Sequence, residues 1–149
     1  MLGTALILTK QVRQYSMADK IYLPNGATKT IAVNEELTFN LYQDLAKKTA
    51  VYPGSGEVGG AMYLALGLCG EAGEVAEKVK KYYRDGIPEG MEPDDWIENL
   101  VKEVGDVLWY ASILLDTFGV KFSDAGVMNL EKLASRKARG VLGGSGDNR

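Results

Sequence analysis

Apolar residues recur at helical spacing along most of the chain. Leu37, Leu41 and Leu45, with Phe39 and Tyr42 beside them, follow the 3.6-residue period of an amphipathic helix. Asn34 stands before them as an N-cap with Glu35 and Glu36 behind it, which predicts a first helix from about residue 34. Pro53-Gly54-Ser55-Gly56 breaks that pattern. A second helix is predicted from about Val58 to Arg84, ended by Asp85-Gly86-Ile87-Pro88. A third begins near Asp94 and Asp95, acids suited to a helix N-terminus, and carries apolar residues from Ile97 to Phe118 before Gly119. Ser123 is placed to cap a fourth, which runs to Gly140.

The flanks read differently. Residues 1–33 mix apolar pairs with turn signals, and Tyr22-Leu23 and Thr30-Ile31-Ala32-Val33 are candidate short strands around Pro24-Asn25-Gly26. The tail GVLGGSGDNR is too rich in glycine to extend a helix. The expected organisation is an N-terminal extension (1–33), a helical domain (34–140) and a C-terminal tail (141–149). The fold class is all-α, a four-helix-type bundle with an irregular or short-stranded extension. Within the second helix Gly59, Gly60, Gly67, Gly70 and Gly73 each cost about 1 kcal/mol relative to alanine. So many glycines imply close backbone approach, a bend or room for a ligand.

Composition narrows the chemistry. A chain of 149 residues is one domain's worth and can form its core without a disulfide. It contains no histidine, which excludes Ser-His-Asp and Cys-His catalysis and histidine-ligated zinc. The single Cys69 excludes an intrachain disulfide and points to a reducing compartment, so the cytoplasm is expected. The apolar stretch in MLGTALILTK is too short for a bilayer span and lacks a basic leader, so no membrane association is expected. A net charge of −3 provides no footprint for nucleic acid. The charge is uneven, however. Residues 85–116 hold nine acids and one base, and residues 121–149 hold six bases and three acids.

Two acidic pairs stand out: Glu71-Ala-Gly-Glu74 on the second helix and Glu103-Val-Gly-Asp106 on the third. Spacing of three residues puts each pair on one face, where like charges repel. Two such pairs facing one another are costly unless a hard divalent cation, Mg²⁺ or Mn²⁺, lies between them. Glu103 and Asp106 also sit among Val101, Val104, Val107 and Leu108, an unusual setting for surface acids. Lys78 extends the first face and Tyr110 the second. Asn129, Lys132 and Arg136 share a face of the fourth helix by the same rule. Carboxylates for a metal and Lys/Arg for phosphate are the parts needed for metal-assisted phosphoryl transfer.

At these residues the sequence resembles the MazG-like nucleoside triphosphate pyrophosphohydrolases of the all-α NTP pyrophosphatase superfamily. Their signature is ExxE, a spacer, then ExxD. GLCGEAGEVAEKVKKYYRDG (67–86) and KEVGDVLWYASILLDTFGV (102–120) resemble the two motif helices, and NLEKLASRKARG (129–140) the trailing one. LAKKTAVYP (45–53) resembles the stretch before the first motif helix. The resemblance covers roughly residues 37–149 and is weak for substrate.

It implies Mg²⁺-dependent hydrolysis of an NTP or dNTP to the monophosphate and pyrophosphate by a homodimer or homotetramer. Carried over, Glu71, Glu74, Glu103 and Asp106 are the metal ligands. Lys78, Lys132 and Arg136 become candidate phosphate contacts, Asn129 and Tyr110 polar contacts to phosphate or sugar, and Thr49, Tyr52 and Tyr42 the place to look for base recognition. With no histidine present, proton abstraction falls to a carboxylate, and Glu74 is the choice. The alternatives are a dUTPase-like, dCTPase-like or phosphoribosyl-ATP-directed relative, and a non-enzymatic metal-binding helical module.

Overall fold

The computed structural model describes residues 20–22, 28–30 and 37–143. The chain divides between Leu37 and Thr38, and the two units are taken separately. In the first, strands β1 (Lys20–Tyr22) and β2 (Thr28–Thr30) pair antiparallel with Ile21 opposite Lys29. The expected extension of these strands over Leu23 and Ile31–Val33 lies outside the described residues, as does the end of the tail from residue 144.

The second unit is all-α: α1 (Phe39–Lys47), α2 (Val58–Asp85), α3 (Pro93–Thr117) and α4 (Phe122–Ala138). Helix α1 begins later than Asn34 because Thr38 is its cap. The Thr38 hydroxyl accepts the Leu41 N–H at 3.2 Å, an interaction worth about 1 kcal/mol. Asn34 itself lies outside the described residues. Helix α3 opens on Pro93 with Asp94 and Asp95 in its first turn, the charges that complement a helix N-terminus.

Ser123 does not cap α4. The cap residue is Lys121, and the first N–H groups are satisfied from α1 instead. Gln43 Oε1 accepts from Phe122 N and Asn40 Oδ1 accepts from Ser123 N, both at 3.0 Å. Buried Gln43 also donates through Nε2 to the carbonyls of Ser112 (2.9 Å) and Val120 (3.1 Å). One α1 side chain thus joins α3, the loop after it and the start of α4.

Helices α2 and α3 form a long antiparallel hairpin, the main packing of the unit. Along it Tyr82 meets Trp96, Lys78 meets Glu103, and Gly67 meets Tyr110. Helix α1 packs on α3, and α4 packs on α1 and α3 but not on α2. The core is small: Leu64, Ile113 and Ala46, with Tyr42, Tyr52, Trp109, Tyr110 and Leu114 packed around them. Burying a leucine such as Leu64 is worth about 1.5–3 kcal/mol. Much of the apolar stripe of α3 is not in that core, since Val101, Val104 and Leu108 are exposed. No helix among the described residues is long and apolar enough to cross a membrane.

Candidate active site

The antiparallel register aligns the two acidic pairs. Starting from the Lys78–Glu103 ion pair at 3.1 Å, a turn toward the N-terminus of α2 accompanies a turn toward the C-terminus of α3. Glu71 and Glu74 therefore share a tier with Glu103 and Asp106. Carboxylate oxygens of Glu71, Glu74 and Glu103 lie within 4.8 Å of one another. Glu103 contributes a side chain only 18% exposed. Asp106 stands outside that three-residue group, but its charge reaches Glu71 and Tyr42.

The electrostatics follow from this crowding. Partial burial, and then the charges of Glu74, Asp106 and Glu103, raise the Glu71 carboxyl above the ordinary carboxylate range. The Tyr42 phenol is raised by burial and then by Asp106, and it donates to the Gly105 carbonyl at 3.4 Å. The Lys78 ammonium pairs with Glu103 of this cluster. A hard dication fits the donor set: three carboxylates from two helices, all oxygen, with exposure at Glu74 for water and substrate. Glu71, Glu74 and Glu103 would hold it, with Asp106 beside them.

One end of the tier is closed by aromatic rings. Tyr110 is edge-on to Trp109 (5.0 Å between centroids) and tilted to Tyr63 (6.4 Å). Tyr63 stacks on Tyr52 at 5.5 Å and 4°. The Tyr110 phenol is raised first by burial and then by its hydrogen bond with Tyr63. Tyr52 is thus engaged with Tyr63 and Trp109. The Thr49 hydroxyl donates to the Ala46 carbonyl (2.7 Å) and accepts the Trp109 indole N–H (2.8 Å). Both residues lie where the sequence reading looked for base recognition, and both already have protein partners.

The glycines of α2 separate into two kinds. A Cβ at Gly60 would come within 2.9 Å of the Gly54 carbonyl carbon and of the Tyr52 ring, and one at Gly67 within 2.5 Å of Tyr110 Cζ. Gly59, Gly70 and Gly73 face open space. Asn129 and Lys132 are exposed on α4 and Arg136 is buried. Because α4 does not pack on α2, this third polar stripe is not packed against Glu71 and Glu74. Gln43, Asn40 and Tyr63 were not singled out from the sequence. Gln43 could have been, as an amide at helical spacing from Phe39 and Ala46. Tyr63 could have been, since it precedes Gly67 and Glu71 by one and two turns.

An all-α unit that presents ExxE and ExxD from neighbouring helices defines the class of helical pyrophosphohydrolase domains. Residues 61–141 match the MazG nucleotide pyrophosphohydrolase domain, and the chain belongs to that family. It is also 46% identical over 113 residues to the Gene 37 protein of Mycobacterium phage L5, covering 74% of this chain and 97% of that protein. No protein of solved structure matches significantly.

Proposed function

We propose that the protein hydrolyses a nucleoside triphosphate, ribo or deoxy, to the monophosphate and pyrophosphate, with Mg²⁺ as the metal and Mn²⁺ as a substitute. The observation that carries this reading is the group of Glu71, Glu74 and Glu103 oxygens within 4.8 Å across two helices of a MazG-family domain. The ion, when bound, supplies charge neutralisation at the phosphate oxygens and orients water. Glu74, the exposed member of the group, takes the proton of the attacking water. The water oxygen bonds to phosphorus as the bridge to pyrophosphate breaks, and pyrophosphate carries the electron pair away. Lys78 is the phosphate contact nearest the carboxylates; Asn129, Lys132 and Arg136 contribute only to a nucleotide that extends to α4, which does not pack on α2.

The proposal includes a homo-oligomer, a dimer or tetramer. Its support is the face of α2 bearing Met62 and Leu66, 72% and 68% exposed, beside glycines whose added Cβ would meet nothing.

The test is a panel of canonical and modified NTPs and dNTPs with Mg²⁺ and with Mn²⁺, reading both monophosphate and pyrophosphate. Equimolar release of the two from at least one nucleotide is expected, and the panel itself reports the base preference. Absence of pyrophosphate from every nucleotide overturns the reading in favour of a metal-binding module. Glu74→Gln is expected to lose turnover while keeping nucleotide binding; wild-type turnover removes Glu74 from its role.

A further inference from the structure

One turn from the carboxylate tier, α2 and α3 meet in a close approach of Gly67 to Tyr110. Gly67 precedes Glu71 by one turn and Glu74 by two. Tyr110 follows Asp106 by one turn and Glu103 by two. The ring of Tyr110 occupies the space where a side chain of residue 67 would stand, since an added Cβ would lie 2.5 Å from Cζ and 2.7 Å from Cδ1. Among the described glycines in the middle of α2 and α3, Gly70, Gly73 and Gly105 have no such neighbour.

The ring has little room to retreat. Trp109 stands edge-on to it and is itself pinned by the Thr49 hydroxyl at 2.8 Å. Tyr63 lies beside it and is stacked on Tyr52. A methyl group at residue 67 is therefore accommodated by moving α2 away from α3. That movement widens the carboxylate group one turn along. A small hard cation such as Mg²⁺ would demand short, regular oxygen contacts from these carboxylates, whereas Ca²⁺ would tolerate longer and more irregular ones.

We propose that Gly67 and Tyr110 form a spacer that holds α2 and α3 at the separation a small divalent cation requires, making both positioning residues for metal selection. The inference rests on the reading of Glu71, Glu74 and Glu103 as cation ligands. Tyr110 acts here through its ring rather than through its hydroxyl.

The experiment is calorimetric titration of the full-length chain with Mn²⁺ and separately with Ca²⁺. Gly67→Ala is expected to lose about tenfold or more in Mn²⁺ affinity while Ca²⁺ affinity changes less than about threefold. Tyr110→Phe, which keeps the ring, is expected to stay within about twofold of wild type for both ions. Gly67→Ala combined with Tyr110→Leu makes room for the methyl group and is expected to recover most of the lost Mn²⁺ affinity. The proposal is overturned if Gly67→Ala binds Mn²⁺ as wild type does, if it loses both ions equally, if Tyr110→Phe is as impaired, or if the double variant does not recover. Should Gly67→Ala fail to fold, Tyr110→Leu alone removes the spacer without adding atoms; an unchanged ratio of Mn²⁺ to Ca²⁺ affinity in it is equally decisive against the proposal. Wild-type protein that binds no Mn²⁺ overturns the metal reading itself, a separate result from a failed spacer.

Discussion

The carboxamide oxygen of Gln43 accepts the backbone N–H of Phe122 at 3.0 Å, while its nitrogen donates to the Ser112 and Val120 carbonyls. Three polar groups, in α3, the loop after it and the start of α4, therefore bond to one buried side chain. Gln43→Leu keeps the volume and removes all three hydrogen bonds, so it is expected to destabilise the helical unit by about 2–3 kcal/mol. Gln43→Glu should be worse, because a carboxylate cannot donate to two carbonyls. Urea denaturation measures both, and a loss below about 0.5 kcal/mol for Gln43→Leu contradicts the assignment.

The Glu71 carboxyl is raised above the ordinary carboxylate range by partial burial and by the charges of Glu74, Asp106 and Glu103. A carboxyl whose folded pKa exceeds its unfolded value favours folding in the protonated form. That contribution is complete below the unfolded value of about 4.3 and is lost as pH rises through the folded value. Glu71→Gln is thus expected to stabilise the chelator-treated protein at neutral pH, with the advantage shrinking as pH falls through the folded value and gone below about pH 4. On the proposed metal reading, adding Mg²⁺ should reverse the order, because only the wild type keeps the carboxylate at residue 71. Melting curves with chelator and with Mg²⁺ across this pH range decide it; an advantage that grows toward low pH has the wrong sign.

Lys78 lies 3.1 Å from Glu103, so on the proposed metal reading it competes with a dication for that carboxylate. Lys78→Met should tighten Mn²⁺ binding at least about threefold, more so at low ionic strength. On the proposed role of Lys78 as a phosphate contact, the same variant should raise KM for the triphosphate. Opposite signs in the two measurements are the expected signature. Unchanged Mn²⁺ affinity means that no cation binds near Glu103.

The Thr49 hydroxyl joins the Ala46 carbonyl to the Trp109 indole. Thr49→Val removes both hydrogen bonds and is expected to cost about 1 kcal/mol, with Thr49→Ser close to wild type. KM for nucleotide should not move in either variant. A raised KM in Thr49→Val without lost stability returns Thr49 to base recognition.

The long helices were legible because their signals are local. The Asp85-Gly86 end of α2, the acidic first turn of α3 and the helical spacing between them depend only on neighbours in sequence. The starts of α1 and α4 were misplaced because caps compete: Thr38 stands four residues after Asn34, and α4 takes its cap from Gln43 and Asn40, about eighty residues away. The paired carboxylates were readable as spacing, whereas their facing across the hairpin depends on the register of α2 against α3. The glycines of α2 gave no means of telling Gly67, which must be glycine for Tyr110, from Gly70 and Gly73. That distinction exists only once the second helix is in place.

The chain has two tryptophans, and α3 sets them on either side of its acidic pair: Trp96 precedes Glu103 by seven residues and Trp109 follows Asp106 by three. Trp96 is packed on Tyr82 at 4.6 Å near the α2–α3 connection, and Trp109 is bonded to Thr49 beside Tyr110. Thirteen residues of helix separate them, about 20 Å. Each is therefore an independent optical probe. Emission from a Trp96→Phe protein reports the Asp106 side of the carboxylate tier, and emission from a Trp109→Phe protein reports the Glu103 side, toward the α2–α3 connection. The two single-tryptophan proteins therefore follow changes at the tier from both of its sides, without attaching any label.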